Sequence, residues 1–310
     1  MVLISFYSIF QESFAMSIVS FNEMLADASK RHYAVPMFDV SNTTMMRAAV
    51  ETAEEAGSPV ILASLLADIV DDATIGYWHN SALYAAQQVK VPVCLHLDHA
   101  VDVETCRKCI DLNYQSVMID ASAKDFAENV RLTSEVTKLA HAKGIAVEAE
   151  LGHVASGITG AADGGSENGI RKDCNTTFTD PKAVVSFIEK THVDALAVSI
   201  GTTHGVYISA PRLDISLLKE LKAAAGEVPL VLHGGSGTPE DQLAQAIEHG
   251  IAKINIYSEL TAAWNTTMRD FLNKCEQMIC WCVVACKEPD AAMRKVMREK
   301  MRMFKSEGKY

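Results

Sequence analysis

The sequence predicts one α/β domain, a (β/α)8 TIM barrel with additional C-terminal helices. Three observations predict it. Eight short runs rich in Val and Ile recur along the chain, and most do not alternate in polarity. Helical patterns lie between them. Ionisable and hydrogen-bonding residues collect at the C-terminal ends of the runs. Near-continuous apolar runs suit parallel strands buried on both faces. Eight βα units in about 225 residues match a closed barrel in number and length. An open doubly wound sheet is the structural rival. It more often has five or six strands and a Gly-rich first turn, and no such turn follows Asp39.

The elements follow in order. Residues 1–15 are apolar and aromatic and contain no Lys or Arg. A secretory signal needs a positive n-region, so this stretch reads as an extension ahead of a second possible start at Met16. The barrel domain is expected over 16–310, in the cytoplasm. Residues 20–30 are amphipathic. The strand runs are 33–39, 59–63, 91–97, 116–120, 145–150, 195–200, 228–232 and 252–256. Helical patterns include 45–56, 81–89, 103–112, 126–142, 181–191, 215–225 and 239–249. Several end at Gly57, Gly144, Gly226 or Gly250, the punctuation of a helix C-terminus. Pro239 followed by Glu240 and Asp241 reads as a helix start. Residues 152–175 break the rhythm, being long and Gly-rich after the fifth run. Loops of that length in compact domains are functional or disordered. Residues 261–305 are helical and basic near their end.

Composition excludes several classes. The chain has 310 residues and a net charge of −11, against the basic excess expected of a nucleic-acid binder. No uncharged run reaches the ~20 residues of a membrane span. Eight cysteines in a chain this long are an ordinary reduced load. Cys106 and Cys109 have no second pair at zinc-ribbon spacing and read as packing thiols. No function is assigned to the cysteines around Trp281.

A barrel places the residues that follow each strand on one rim. Run three ends in His96-Leu97-Asp98-His99, run six in Gly201-Thr202-Thr203-His204-Gly205, and run seven in His233-Gly234-Gly235-Ser236-Gly237. Asp120, Glu148, Glu150, Asn255 and Ser258 end the others. Any one of these histidines would ordinarily be a hydrogen-bonded core or rim residue. Three at separate strand ends suit a catalytic metal with an open fourth position. His96 and His153 compete for the ligand role; His99 is preferred because it lies further toward the rim. Asp98 is a ligand orienter or a proton carrier. Asp120 and Glu150 could hold a second cation, orient a histidine or pair with a lysine. Asp39 is acidic without a clear role. The Gly-rich turn at 234–237 precedes a helix, and its backbone N–H groups make an anion site. A metal and a phosphate site together imply a small phosphorylated substrate.

The motifs resemble those of the class II, zinc-dependent ketose-bisphosphate aldolases of the fructose- and tagatose-bisphosphate type. The resemblance runs from about residue 17 to residue 309. It includes Tyr33-Ala34-Val35-Pro36, His96 to His99, Ser116 to Ser122, Glu148-Ala149-Glu150-Leu151-Gly152, Gly201 to Gly205, Leu232 to Gly237 and Lys253-Ile254-Asn255-Ile256. It implies one catalytic zinc per subunit on His99, His204 and His233. Asp98 is the implied proton carrier. Gly205, Gly234, Gly235, Ser236, Asn255 and Ser258 are the implied phosphate and triose contacts, with a monovalent cation (Na+ or K+) beside them. Asp120 and Glu150 match carboxylates that take a second metal or an alternative zinc position.

The implied reaction is reversible aldol cleavage of a ketose 1,6-bisphosphate to dihydroxyacetone phosphate and an aldehyde. The implied assembly is a homo-oligomer, dimer or tetramer. Residues 152–175 form the implied lid, with Asp163 and Glu167 as acid/base candidates by location.

Three departures stand at the aldehyde end. Phe38-Asp39 replaces Phe-Asn, Ser64-Leu65-Leu66-Ala67-Asp68 replaces a small, Gly-containing stretch, and Glu288-Pro289-Asp290 replaces Asp-Pro-Arg. Arg294 or Arg298 is the expected replacement anchor for the distal phosphate. The alternatives are a different ketose 1-phosphate as substrate, an idle barrel used for binding, and a metal-dependent hydrolase or isomerase. The intact Asp and three His oppose the idle barrel; the phosphate turn joined to Asn255 opposes the hydrolase or isomerase.

Overall fold

The structure is a computed structural model that describes residues 17–155, 176–205, 207, 210–276 and 279–310. The N-terminal extension, Asp163, Glu167 and Cys174 lie outside the described residues. Among those described, the chain enters as α1 (Phe21–Arg31) and then alternates strand and helix. The strands are β1 (Val35–Asp39), β2 (Val60–Ser64), β3 (Val93–Ala100), β4 (Ser116–Ile119), β5 (Ala146–Leu151), β6 (Ala195–Val198), β7 (Leu230–Leu232) and β8 (Ile251–Ile256). The helices between them are α2 (Thr43–Ala56), α3 (Asp72–Ala86), α4 (Val103–Asp111), α5 (Phe126–His141), α6 (Pro181–Thr191), α7 (Ile215–Ala225) and α8 (Glu240–Glu248). Three more follow: α9 (Ser258–Lys274), α10 (Cys282–Ala285) and α11 (Lys287–Met303). All strand pairs are parallel, and β8 closes on β1.

Two apolar layers hold the barrel. Outward residues such as Phe38, Leu62, Leu95 and Val117 pack under the helices. Inward residues are small or medium: Val35, Met37, Ala63, Ala146, Ala195, Ala197, Val231 and Ala252. Helix α1 closes the bottom. Its Phe21, Met24, Leu25 and Ala28 recur at helical spacing and are buried against the inward layer. Each large side chain fully buried there contributes about 1.5–3 kcal/mol. Ser20 caps the helix by accepting from the Glu23 N–H, and His32 ends it in the left-handed region.

The predicted runs coincide with the strands, with two informative differences. Strand β3 continues past Leu97 to Ala100, where the polar Asp98 and His99 mask its end in a pattern of apolar runs. Helix α3 starts at Asp72, well before residue 81. Asp71 caps it through a reciprocal bond with Thr74, a signal the polar residues of its first turns obscured. Cys106 and Cys109 are buried packing thiols, and burial pushes Cys109 up to about 12. No helix among the described residues is long and apolar enough to cross a membrane.

The C-terminal helices brace the outside. Trp264 donates to Asp290 at 3.0 Å and Lys300 pairs with Glu259, tying α9 to α11. Met293, Met297 and Met301 bury one face of α11. On another face, Arg294 pairs with Glu51 and Glu55 of α2, and Arg298 with Glu55.

Candidate metal centre at the barrel rim

Strand β3 brings two adjacent residues inward, which a regular strand does not do. Successive side chains alternate faces, so His96 and Asp98 share one face and His99 belongs to the other. The pairing with β4 is regular through Leu97–Val117, then resumes at Ala100–Ile119. Two residues of β3 therefore oppose one of β4, a bulge. Within it, His99 has φ of 50°. This left-handed residue turns His99 toward the same centre as Asp98.

Three imidazoles meet there. His233 Nδ1 lies 2.9 Å from His99 Nε2. The ring centroids of His99 and His204 are 4.9 Å apart, and those of His204 and His233 are 5.7 Å apart. One nitrogen from each lies within 4.8 Å of the others. The opposite nitrogen of each ring is held. His99 Nδ1 is 2.9 Å from Asp120, His204 Nδ1 is 3.1 Å from the Val154 carbonyl, and His233 Nε2 is 2.8 Å from Glu148. Such bonds select the tautomer that leaves the inner nitrogen as a lone-pair donor.

The donor set fits a zinc ion. Zn–N bonds of about 2.0–2.1 Å in tetrahedral geometry separate ligand nitrogens by roughly 3.4 Å, inside the 4.8 Å within which these three nitrogens gather. Glu150 Oε2 is buried, has no hydrogen-bond partner among the described residues, and lies 3.7 Å from His233 Nδ1. Burial, then the charge of Asp120, pushes Glu150 up to about 8. Burial holds His204 and His233 below the ordinary imidazole range, so both stay neutral and can ligate. Burial alone would raise Asp98, but His99, the hydrogen bond from His96, Lys253 and His233 together outweigh it and hold the carboxyl well below its usual range.

The competing histidines sit elsewhere. His96 lies deeper, bonded to Ser116 at 2.7 Å and stacked on Phe21. His153 bonds to Ser122 at 2.9 Å. Asp120 and Glu150 form a second three-residue cluster with His99. Arg294 and Arg298 are not brought to the site. Their partners Glu51 and Glu55 lie in the second half of α2, which starts at the rim and descends. At 1.5 Å per residue this places them roughly 12–18 Å below it. The expectation of a distal-phosphate anchor there is corrected, since both arginines brace the barrel's outer wall.

The Gly-rich turn adjoins the centre. A Cβ on Gly234 would lie 2.5 Å from the Thr203 carbonyl, and one on Gly235 would lie 2.5 Å from Ile254 Cγ2. The turn thus presses against the His204 loop and β8 with backbone only. Ser236 accepts from the Glu259 N–H in the first turn of α9, where Ser258 sits. Gly205, with φ of 102°, directly follows His204. Asn255 points its amide at Asp98.

Three supporting residues were not singled out from the sequence. The sequence places Glu148 at the end of the fifth run without a role of its own, and in the structure it holds His233. Lys253 is a charged residue inside an apolar strand run, which is itself a signal. Tyr207 accepts from the Thr203 N–H and donates to the Gly234 carbonyl, and no pattern in the sequence marks that bridge.

Fold and site together define a (β/α)8 barrel with a three-histidine, metal-type centre at its C-terminal rim. The family model for class-II fructose-bisphosphate aldolase matches residues 19–309. The chain belongs to that family. It is 38% identical over 267 residues to a fructose-bisphosphate aldolase of Geobacillus stearothermophilus, covering 84% of this chain and 87% of the relative. It is 38% identical over 266 residues to one of Staphylococcus aureus, covering 83% and 87%. The crystal structure of the YdjI aldolase from Escherichia coli K12 superposes with a TM-score of 0.80 at 34% identity, covering 94% of this chain and 99% of that one.

Proposed function

We propose that this chain catalyses the reversible aldol cleavage of a ketose 1,6-bisphosphate, of fructose or tagatose type, to dihydroxyacetone phosphate and an aldehyde such as glyceraldehyde 3-phosphate. One observation carries the reading: three inner imidazole nitrogens, a buried aspartate and a bare backbone turn converge on one rim. Zinc held by His99, His204 and His233 would supply Lewis acidity toward the carbonyl end of the substrate.

The chain's own residues supply the rest. Asp98, kept ionised beside His99, takes the C4 hydroxyl proton in the cleavage direction. Asn255 donates to both of its oxygens and fixes its direction. The C3–C4 bond breaks as that proton leaves, the C4 oxygen becomes the aldehyde carbonyl, and the electron pair stays on C3 of the triose half, where a proton from solvent completes dihydroxyacetone phosphate. Amides of Gly205 and Gly234, the Ser236 hydroxyl and the first turn of α9 at Ser258 bind the C1 phosphate, while Gly235, whose N–H donates to the Asn255 carbonyl, lets the phosphate approach the turn without a side chain in the way. A Na+ or K+ ion beside that phosphate belongs to the proposal. So do Asp120 and Glu150 as an alternative cation position, and a homo-oligomeric assembly.

One finding favours a second reading of the aldehyde half. With Arg294 and Arg298 engaged by Glu51 and Glu55, a ketose 1-phosphate lacking the distal phosphate is the rival substrate. The test is release of triose phosphate from a panel of ketose 1-phosphates and 1,6-bisphosphates, with and without a chelator. The proposal expects bisphosphate cleavage that chelation abolishes and zinc restores. Preference for monophosphates supports the second reading. Activity that survives complete metal removal overturns the metal centre.

A further inference from the structure

Beneath the rim, the barrel interior holds a buried charge pair that the reaction does not touch. Lys253 Nζ lies 2.9 Å from Glu148 Oε2 and 3.2 Å from Oε1, and both side chains have no solvent exposure. Lys253 is on β8 and Glu148 on β5, so the pair crosses the barrel. On each strand the inward residue two positions further on reaches the rim: Asn255 above Lys253, and Glu150 above Glu148. They share the interior with small buried residues of the inward layer, Ala146, Ala195, Ala197 and Val231, and with His96 and Asp98 on the rim side.

Burying two charges is unfavourable, and well-packed apolar residues often serve as well or better for stability. A purely structural role would not need this pair. Its placement indicates another. Glu148 Oε1 also lies 2.8 Å from His233 Nε2. Glu148 therefore engages one nitrogen of His233 and leaves Nδ1 facing His99 and Glu150. Lys253 occupies both oxygens of Glu148 from the far side. His96 Nε2, 3.9 Å from Glu148 Oε2, and a carboxylate oxygen of Asp98, within 4.8 Å of Glu148, also face it.

We infer that Lys253 and Glu148 act as a positioning pair that makes His233 present Nδ1, not Nε2, to the metal centre, and thereby set the affinity of that centre for zinc. This rests on the metal-dependent reading above. The physical content has two parts. Glu148 fixes the ring's tautomer and orientation. Lys253 keeps Glu148 in place, because an unpaired carboxylate in this buried interior would turn or take up a proton. Neither residue contacts the substrate's reacting atoms, so both are positioning residues.

Two measurements test it. The first is zinc affinity of the full-length protein, measured with zinc alone by chelator competition, for wild type, Glu148→Gln, Lys253→Met and the double variant. The amide of Glu148→Gln can still accept from Nε2 but has lost its charge. The double variant removes both charges at once and leaves no buried unpaired ion, so it guards against a variant that fails to fold. Thermal unfolding of the zinc-free proteins reports folding separately. Expected is a loss of about 10–100-fold in zinc affinity for each variant, the usual size for a residue that orients a metal ligand. A folded double variant with wild-type affinity overturns the inference.

The second is the nitrogen NMR spectrum of the histidines in wild-type protein loaded with zinc, which needs no variant. Expected is a metal-shifted Nδ1 and a protonated Nε2 on His233. Metal on Nε2 overturns the inference. Both readouts are independent of turnover. Failure to cleave any ketose phosphate would overturn the proposed activity and leave this result standing. Failure of wild type to bind zinc would overturn the metal reading and this inference with it.

Discussion

Asn255 Nδ2 lies 3.3 and 3.2 Å from the two carboxylate oxygens of Asp98. The amide thus holds the carboxylate broadside from β8 while His99 adjoins it on β3. Asp98→Asn is expected to bind zinc nearly as wild type and to lose about 10²–10⁴-fold in kcat. Asn255→Ala is expected to lose less in kcat and to raise KM, since the same residue is proposed to contact the triose phosphate. Steady-state kinetics with zinc content measured in parallel check both. An unchanged kcat in Asp98→Asn would reassign the proton carrier.

Tyr207 ties the His204 loop to the phosphate turn. Its hydroxyl accepts from the Thr203 N–H at 2.9 Å and donates to the Gly234 carbonyl at 2.8 Å. In Tyr207→Phe, Gly234 keeps a bond from Thr238, but the Thr203 N–H loses this acceptor. A loss of about 1–3 kcal/mol in stability is expected from an unsatisfied donor. KM should rise several-fold and kcat change less, because the loosened element binds phosphate. A larger fall in kcat than rise in KM would place Tyr207 in the chemistry instead.

The buried titratable groups give the zinc-free protein a defined pH dependence. Burial holds His96, His204 and His233 below the ordinary value of about 6.5. Below that pH the unfolded chain binds more protons than the folded one, so stability falls with pH. Glu148 reinforces this further down. Burial alone would raise it, but Lys253, His233 and His96 together pull it to about 2, so its contribution is present above its ordinary 4.5 and lost as pH falls toward 2. Glu150 acts in the opposite sense. With its folded value raised to about 8, its contribution is present below 4.5 and lost as pH rises toward 8. Glu150→Gln mimics the protonated acid. In chelator, its Tm should exceed wild type at pH 8 and match it near pH 4.5. Equal differences at both pH values would refute the burial-raised Glu150.

Arg294 braces α11 against α2 through Glu51 and Glu55. Arg294→Ala is expected to destabilise the fold by about 0.2–1 kcal/mol, the range for partly exposed pairs. Its KM for a ketose bisphosphate should equal wild type. A large KM increase confined to the bisphosphate would return Arg294 to the substrate.

The fold was legible because parallel strands buried on both faces must be apolar throughout, and eight such runs have few other uses. Rim residues such as His204 and His233 were legible because polar groups at strand ends have one face to occupy. Glu148, Lys253 and Tyr207 were harder. Their roles depend on which side chain they meet across the barrel or between loops, and one chain read linearly does not contain those distances. Arg294 was misplaced for the same reason, since its basic character says nothing about which side of a helix it faces. Asp39 is buried at the end of β1, and nothing in the structure assigns it a role.

The bulge in β3 has a consequence for anyone transplanting this chemistry. Asp98 and His99 are consecutive, and a flat eight-strand scaffold would send one of them into the helical shell. Grafting the two residues alone onto another barrel would therefore deliver a base without its ligand, or the reverse. The portable unit is the pair together with its extra residue and the left-handed turn at His99. Replacing His99 with glycine would relax the backbone and delete the ligand at once. The frame is therefore expected to gain robustness at this position only by giving up its centre.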